Sequence, residues 1–272
     1  MALLPWRVGF AVLKALARRS WGFTHEADAA WNVAAAHAGL LDEHAWKYRY
    51  RLLRWVERAD TYLTLLHGTS WWARRVRVRG EFPAAAPACV MLTFHWGAGH
   101  WVWKLLRARG IRAYFLARKP LVQDFGHARV SAWYASLRGW GLKRIGSLGP
   151  LYTGGSGTRV LEALGRGDSI VAMLDLPSSG DRASETVELL DRAVNLPSGV
   201  ARLAESARAP LAVFSCRLLD DGTRELWIEP LDAMSAAETM QRYACRLDAL
   251  LREAPEAWLI WHEAVAAFAP RT

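Results

Sequence analysis

The sequence predicts an α/β protein built on a mixed, mainly parallel sheet covered by helices, with a helical N-terminal region. Three observations lead there. From residue 88 onward, apolar runs of strand length alternate with helical stretches, the pattern of a sheet covered on both faces. Two late strand-like runs, 211–219 and 224–231, are joined by Asp220-Asp221-Gly222, a tight-turn signal that makes one pair antiparallel. Residues 26–67 read as helix, with Trp31, Trp46, Leu52, Trp55 and Leu63 among charged side chains. The 272 residues, 52% hydrophobic and without a linker-like stretch, fit one domain over 1–272. It divides into an N-terminal helix (1–21), a helical region (22–75) and an α/β core (76–272).

Residues 1–21 place Leu3, Trp6, Phe10, Leu13 and Ala17 on one helical face and Arg7, Lys14 and Arg18 on the other. The uncharged stretches fall far short of the ~20 residues needed to span a bilayer. The expectation is an amphipathic helix lying in a membrane interface, with an ordinary packed surface helix as the alternative. Lys14 interrupts the apolar region, which argues against a signal peptide. Trp71-Trp72 followed by Arg74, Arg75, Arg77 and Arg79 fits phosphate contact and a charged edge strand over 76–79 equally well.

The core elements follow in order. Residues 88–94 form a buried strand and 101–109 a helix. Residues 111–117 form a strand, 125–137 a helix and 142–145 a short strand. A helix over 158–164, closed by Gly165 and Gly167, leads to a strand over 169–176. A strand over 185–190 precedes a helix over 199–206, with Ser198 placed to cap it. After the two late strands come a helix over 235–252 and an apolar, helix-like stretch over 258–268.

A net charge of +9 and a pI near 9.9 point to an anionic partner. Fifteen tryptophans beside many arginines are the mixture of membrane interfaces. No helix-turn-helix, zinc-finger or RNA-recognition signature is present, so nucleic acid is not the expected partner. Cys89, Cys216 and Cys245 are too scattered for a disulfide framework and read as buried free thiols. No Cys/His cluster calls for a metal.

Chemistry concentrates at three strand ends. His95 follows the first buried strand and opens a Gly-containing turn, Trp96 to His100. Arg118 and Lys119 follow 111–117, and Asp175 ends 169–176. Ligands bind beyond the carboxyl ends of strands in open α/β sheets. A His can take a proton from a hydroxyl, an Arg can hold a phosphate, and an Asp can orient either. The Gly154-Gly155-Ser156-Gly157 run lacks the ending of a nucleotide P-loop and reads as a plain loop. Asp124 and His127 read as solvated helix positions, and His262 and Glu263 as packing or membrane-contact residues.

Val78-Arg79-Gly80-Glu81 through ACVMLTFHWGAGHW resembles the opening block of the bacterial lipid A late acyltransferases, in the lysophospholipid acyltransferase-like superfamily. LARKP (116–120), LGRGDSIVAMLD (164–175), VNLPSGVARLA (194–204), APLAVFSCR (209–217) and PEAWLIWHEAVAAF (255–268) resemble further blocks, in family order. The Phe-Pro-Glu-Gly-Thr block of the glycerol-phosphate branch is absent. The resemblance implies a glycerolipid acyltransferase-like fold. It implies acyl transfer from an acyl carrier protein, or coenzyme A, to a hydroxyl of a membrane lipid or lipid-linked acceptor. It also implies a peripheral position on the cytoplasmic face of the bacterial inner membrane, against its anionic surface, with no bound cofactor. His95 matches the catalytic base, Trp96, Gly97, Arg118 and Lys119 the substrate-binding positions. Where the family places an acid, after four intervening residues, this chain has His100, which supplies no negative charge. Three outcomes stay open: Asp175 replaces it, the enzyme is slow or takes an easier acceptor, or catalysis is lost and lipid binding kept.

Overall fold

The structure, a computed structural model, describes residues 4–39, 42–84, 87–118, 129–176, 183–231 and 234–264. Four helices come first: α1 (Trp6–Arg18), α2 (Thr24–His37), α3 (Glu43–Leu66) and α4 (Thr69–Ala73). The core continues with β1 (Val76–Arg79), β2 (Val90–Thr93), α5 (Val102–Ala108), β3 (Ala113–Ala117), α6 (Arg129–Ile145) and β4 (Ser147–Tyr152). Then come α7 (Gly157–Gly165), β5 (Ser169–Met173), β6 (Ser184–Leu189), β7 (Arg192–Pro197) and α8 (Gly199–Ala207). The chain closes with β8 (Leu211–Leu218), β9 (Arg224–Leu231), α9 (Ala236–Glu253) and a 3-10 turn, Pro255–Ala257.

Seven strands form one sheet in the order β1-β9-β8-β2-β5-β3-β4, and only β8 and β9 run antiparallel. Strands β2, β3, β4, β5 and β8 are mutually parallel, so their carboxyl ends share one edge. Burial on both faces explains their uninterrupted apolar runs. Val90, Leu92, Ile170, Ala172 and Val213 pack into a core with α2, α8 and α9. Their alternates, Met91, Val171, Ala212 and Phe214, pack into a second core with α1, α4 and α5. The capping box of α9, Ser235 with Glu238, satisfies its first N–H groups. Ser198 precedes α8 as expected but makes no side-chain cap bond; its Oγ accepts from Arg202 Nε at 3.3 Å.

Several expectations require correction. The apolar face of α1 is not presented to a membrane: Trp6, Phe10, Leu13 and Ala17 are buried in the protein core. A stripe of this width is the same whether it meets lipid or a core, so periodicity alone cannot separate the two. The Trp6 indole donates to the Gly222 carbonyl, and its ring covers the Arg224 guanidinium. Arg224 is itself buried and ion-paired to the buried Asp60, tying α3 to β9. Residues 142–145 end α6 instead of forming a strand; the strand is β4, one step later. β7 was not foreseen and pairs with β6 as a separate antiparallel hairpin. Residues 259–264 are turn rather than helix, and Trp258 makes an isolated bridge to Trp96. Cys245 is exposed, unlike Cys89 and Cys216.

β1 is an edge strand, with Arg77 and Arg79 paired to Asp221 and Glu225 beside β9, which favours the edge reading of that basic cluster. Among the described residues no helix is long and apolar enough to cross a membrane.

Burial of α1 has a measurable consequence. Phe10→Ala should lower unfolding free energy by about 3–5 kcal/mol, whereas Val12→Ser, on the exposed face, should stay within about 0.5 kcal/mol of wild type. Denaturant titration followed by circular dichroism distinguishes the two.

Candidate functional site

His95 sits two residues past β2, and Asp175 two residues past the neighbouring β5. Parallel pairing of these strands brings the two side chains together across 80 residues of sequence. Asp175 Oδ1 lies 2.8 Å from His95 Nδ1, and Oδ2 accepts from the His95 backbone N–H at 2.7 Å. The Trp258 indole donates to the same Oδ2 at 2.9 Å. Asp175 is 0% exposed, so these donors stand in for water around its carboxylate. With Asp175 Oδ1 accepting, the proton between the two residues sits on Nδ1, and in the neutral ring Nε2 carries the lone pair.

The backbone around the pair is pinned from two sides. Tyr243, on α9, donates its hydroxyl to the Thr93 carbonyl at 2.7 Å and accepts from the Leu174 N–H at 3.0 Å. The ends of β2 and β5 are thereby held to one helix. On the other side the C-terminal segment clamps the His95 turn. Leu259 N–H donates to His95 O, Gly97 N–H to Ala257 O, and the Trp96 indole to Ala254 O, all within 3.0 Å. Gly97, with φ +79°, lies so close to β8 that a Cβ would stand 1.7 Å from the Cys216 carbonyl oxygen. No other residue fits there.

Burial alone would push the His95 imidazole down. The Asp175 carboxylate, by charge and hydrogen bond, and Glu263 more weakly, outweigh burial and an opposing Arg138, so its pKa is raised above the ordinary value.

The pair opens on a cavity of about 2220 Å³. Apolar side chains such as Leu106, Phe115, Leu116, Phe214, Leu259 and Ile260 line it. Arg118 lines the same cavity; Lys119, Asp124 and His127 lie outside the described residues. Trp96 and Gly97 line it too, but both also serve as structural supports of the His95 turn. Gly155, Ser156 and Gly157 reach its wall. His262 and Glu263, read from sequence as packing or membrane-contact residues, line the cavity as well.

His100 does not take the place of the missing acid. It is buried, neither ring nitrogen has a hydrogen-bond partner among the described residues, and Nδ1 of His95 is occupied by Asp175. Burial and then the charge of Arg138 push its pKa down to about 3, against the pull of Glu57. Glu57 lies between Arg138 of α6 and Arg54 of α3, and Arg54 continues to Glu26. Burial would raise the Glu57 pKa, but Arg138 and Arg54 hold it down to about 2. This network lines the cavity and was not foreseen. Its members are charged residues on amphipathic helices, where sequence favours a solvated face. Among the described residues no group of three or more His, Cys, Asp or Glu is placed to hold a metal.

No protein-family model matches the chain, and no curated protein matches it at a significant level.

The His100 environment makes an acid-stability test possible. The unfolded chain protonates this residue near 6.5, while the folded one resists to about 3. Its contribution to stability is therefore present above pH 6.5 and lost progressively as pH falls toward 3. His100→Leu removes both that linkage and an unpaired buried polar group. The variant should keep more of its neutral-pH stability at pH 4 than wild type, measured by denaturant unfolding at both pH values.

Proposed function

We propose that the chain is an O-acyltransferase of the lipid A, or lysophospholipid, acyltransferase type, moving a fatty acyl group from a carrier thioester to a lipid hydroxyl. The observation that carries this reading is the His95–Asp175 pair at the carboxyl edge of the sheet, opening on a large and partly apolar cavity.

His95 Nε2 takes the proton of the acceptor hydroxyl. The oxygen attacks the thioester carbonyl, and the tetrahedral intermediate collapses with loss of the thiolate. The thiolate recovers the proton from the imidazolium. Asp175 fixes the tautomer and offsets the transient positive charge, the role a triad carboxylate plays. Apolar residues of the cavity hold the acyl chain, and Arg118 holds a phosphate of the acceptor or donor.

The non-catalytic alternative rested on His100 standing where the motif has an acid. A carboxylate delivered from β5 removes that reason. The donor is an acyl carrier protein or coenzyme A; the acidic surface of a carrier complements the net positive charge. The workplace is the cytoplasmic face of a bacterial inner membrane, reached peripherally, with no bound cofactor.

The test is transfer from a labelled acyl carrier protein to extracted membrane lipids. His95→Ala should reduce it to background. Asp175→Asn should cost about 10⁴-fold, the loss seen when a triad carboxylate becomes an amide. His100→Leu should retain most of the rate. Only neutral His95 is a base, so the rate should rise with pH through a value above 6.5. Full transfer by His95→Ala would refute the assignment.

A further inference from the structure

Part of the exposed apolar surface lies where the cavity opens. Trp133 and Trp140, seven residues apart on one face of α6, are 60% and 53% exposed. Leu137 lies between them, and the Arg144 guanidinium stands 5.2 Å from the Trp140 ring. Trp140 also lines the cavity, as do Tyr152 at the end of β4 and Met173 at the end of β5. Both are more than one-third exposed. Arg118 and Lys143 line the same cavity and add positive charge to it, while Arg202 is paired with Glu185. Of the acidic groups in the lining, Glu26 and Glu57 are paired with arginines, and Glu263 lies 3.7 Å from His262.

Large aromatics left in water beside cations suit one environment in particular. At a bilayer surface the indole sits at headgroup depth, and each Lys or Arg is attracted by anionic lipid. We infer that the outer face of α6, with Tyr152 and Met173, is the surface on which this protein rests on an anionic bilayer. A lipid acceptor then enters the cavity without crossing water. The choice of occupant rests on the acyl-transfer reading; the surface itself rests on exposure and charge.

An acidic carrier protein is the rival occupant. Docking by charge alone would not call for two tryptophans exposed on one helix face, so the lipid surface is the better fit. The N-terminal helix does not do this job. Its large apolar face is in the core, and the large apolar side chains it exposes, Val8 and Val12, do not line the cavity.

Cosedimentation with vesicles of phosphatidylethanolamine and phosphatidylglycerol, against vesicles of phosphatidylcholine alone, tests the inference. Wild type should bind the anionic vesicles. Trp133→Ser with Trp140→Ser should weaken binding at least about tenfold. Lys143→Glu with Arg144→Glu should weaken it about fivefold or more per site, and only on the anionic vesicles. Val8→Ser with Val12→Ser should bind as wild type, and circular dichroism should show every variant folded. Failure of wild type to bind, wild-type binding by the double Trp variant, or loss confined to the α1 variant would overturn the proposal. So would a double Trp variant that loses only acyl carrier protein binding, which would give the surface to the carrier. Vesicle binding without any acyl transfer would leave the surface standing and remove the proposed reaction.

Discussion

A single buried carboxylate organises this molecule. Asp175 has no access to water, and its two oxygens are satisfied by the backbone and ring of His95 and by the Trp258 indole. Burying an ionised group is costly unless hydrogen bonds replace its hydration. Here the replacement draws on three parts of the chain: the end of β5, the turn after β2 and the C-terminal segment. Loss of one donor would leave the charge under-solvated, so the position of each part is set by the needs of the others. Tyr243 adds a fourth hold by bonding the ends of both strands to α9.

This arrangement separates two histidines that sequence places five residues apart. His95 gains a carboxylate and has its pKa raised, while His100 loses water, faces Arg138 and has its pKa pushed down to about 3. One holds a proton more readily than a free imidazole, and the other stays neutral near pH 7. The Glu57 carboxylate closest in effect to His100 is held by Arg138 and Arg54, which leaves Asp175 as the partner of His95.

Much of the sheet was legible because its strands are buried on both faces. ACVMLTF and SIVAMLDL announce themselves as apolar runs, and their polar ends, His95 and Asp175, mark the carboxyl edge. Elements with weaker apolar signal were harder. β4 contains Gly149 and Pro150, and β7 carries Arg192 and Asn195, so neither reads as a buried run. The face of α1 was visible, but periodicity does not say what covers it. Motif spacing along the chain drew attention to His100, while Asp175, at the end of SIVAMLDL, stood as the candidate to take over from it. The carboxylate that bonds His95 instead arrives laterally, from the end of the next strand, a relationship that spacing within one segment cannot express. Trp258 was visible only as part of a Trp-rich closing segment, and its bond to Asp175 depends on a bridge to Trp96 formed at long range.

The central claim, that Asp175 holds His95 as a base with Nε2 free to accept a proton, is tested most directly by nuclear magnetic resonance of the histidine ring nitrogens. With ¹⁵N-labelled histidine above the His95 pKa, the account requires a proton on Nδ1 and an unprotonated Nε2. It also requires that Asp175→Asn lower the pKa of this ring and release its tautomer. A proton on Nε2 in the wild type, or a ring indifferent to Asp175→Asn, would contradict it.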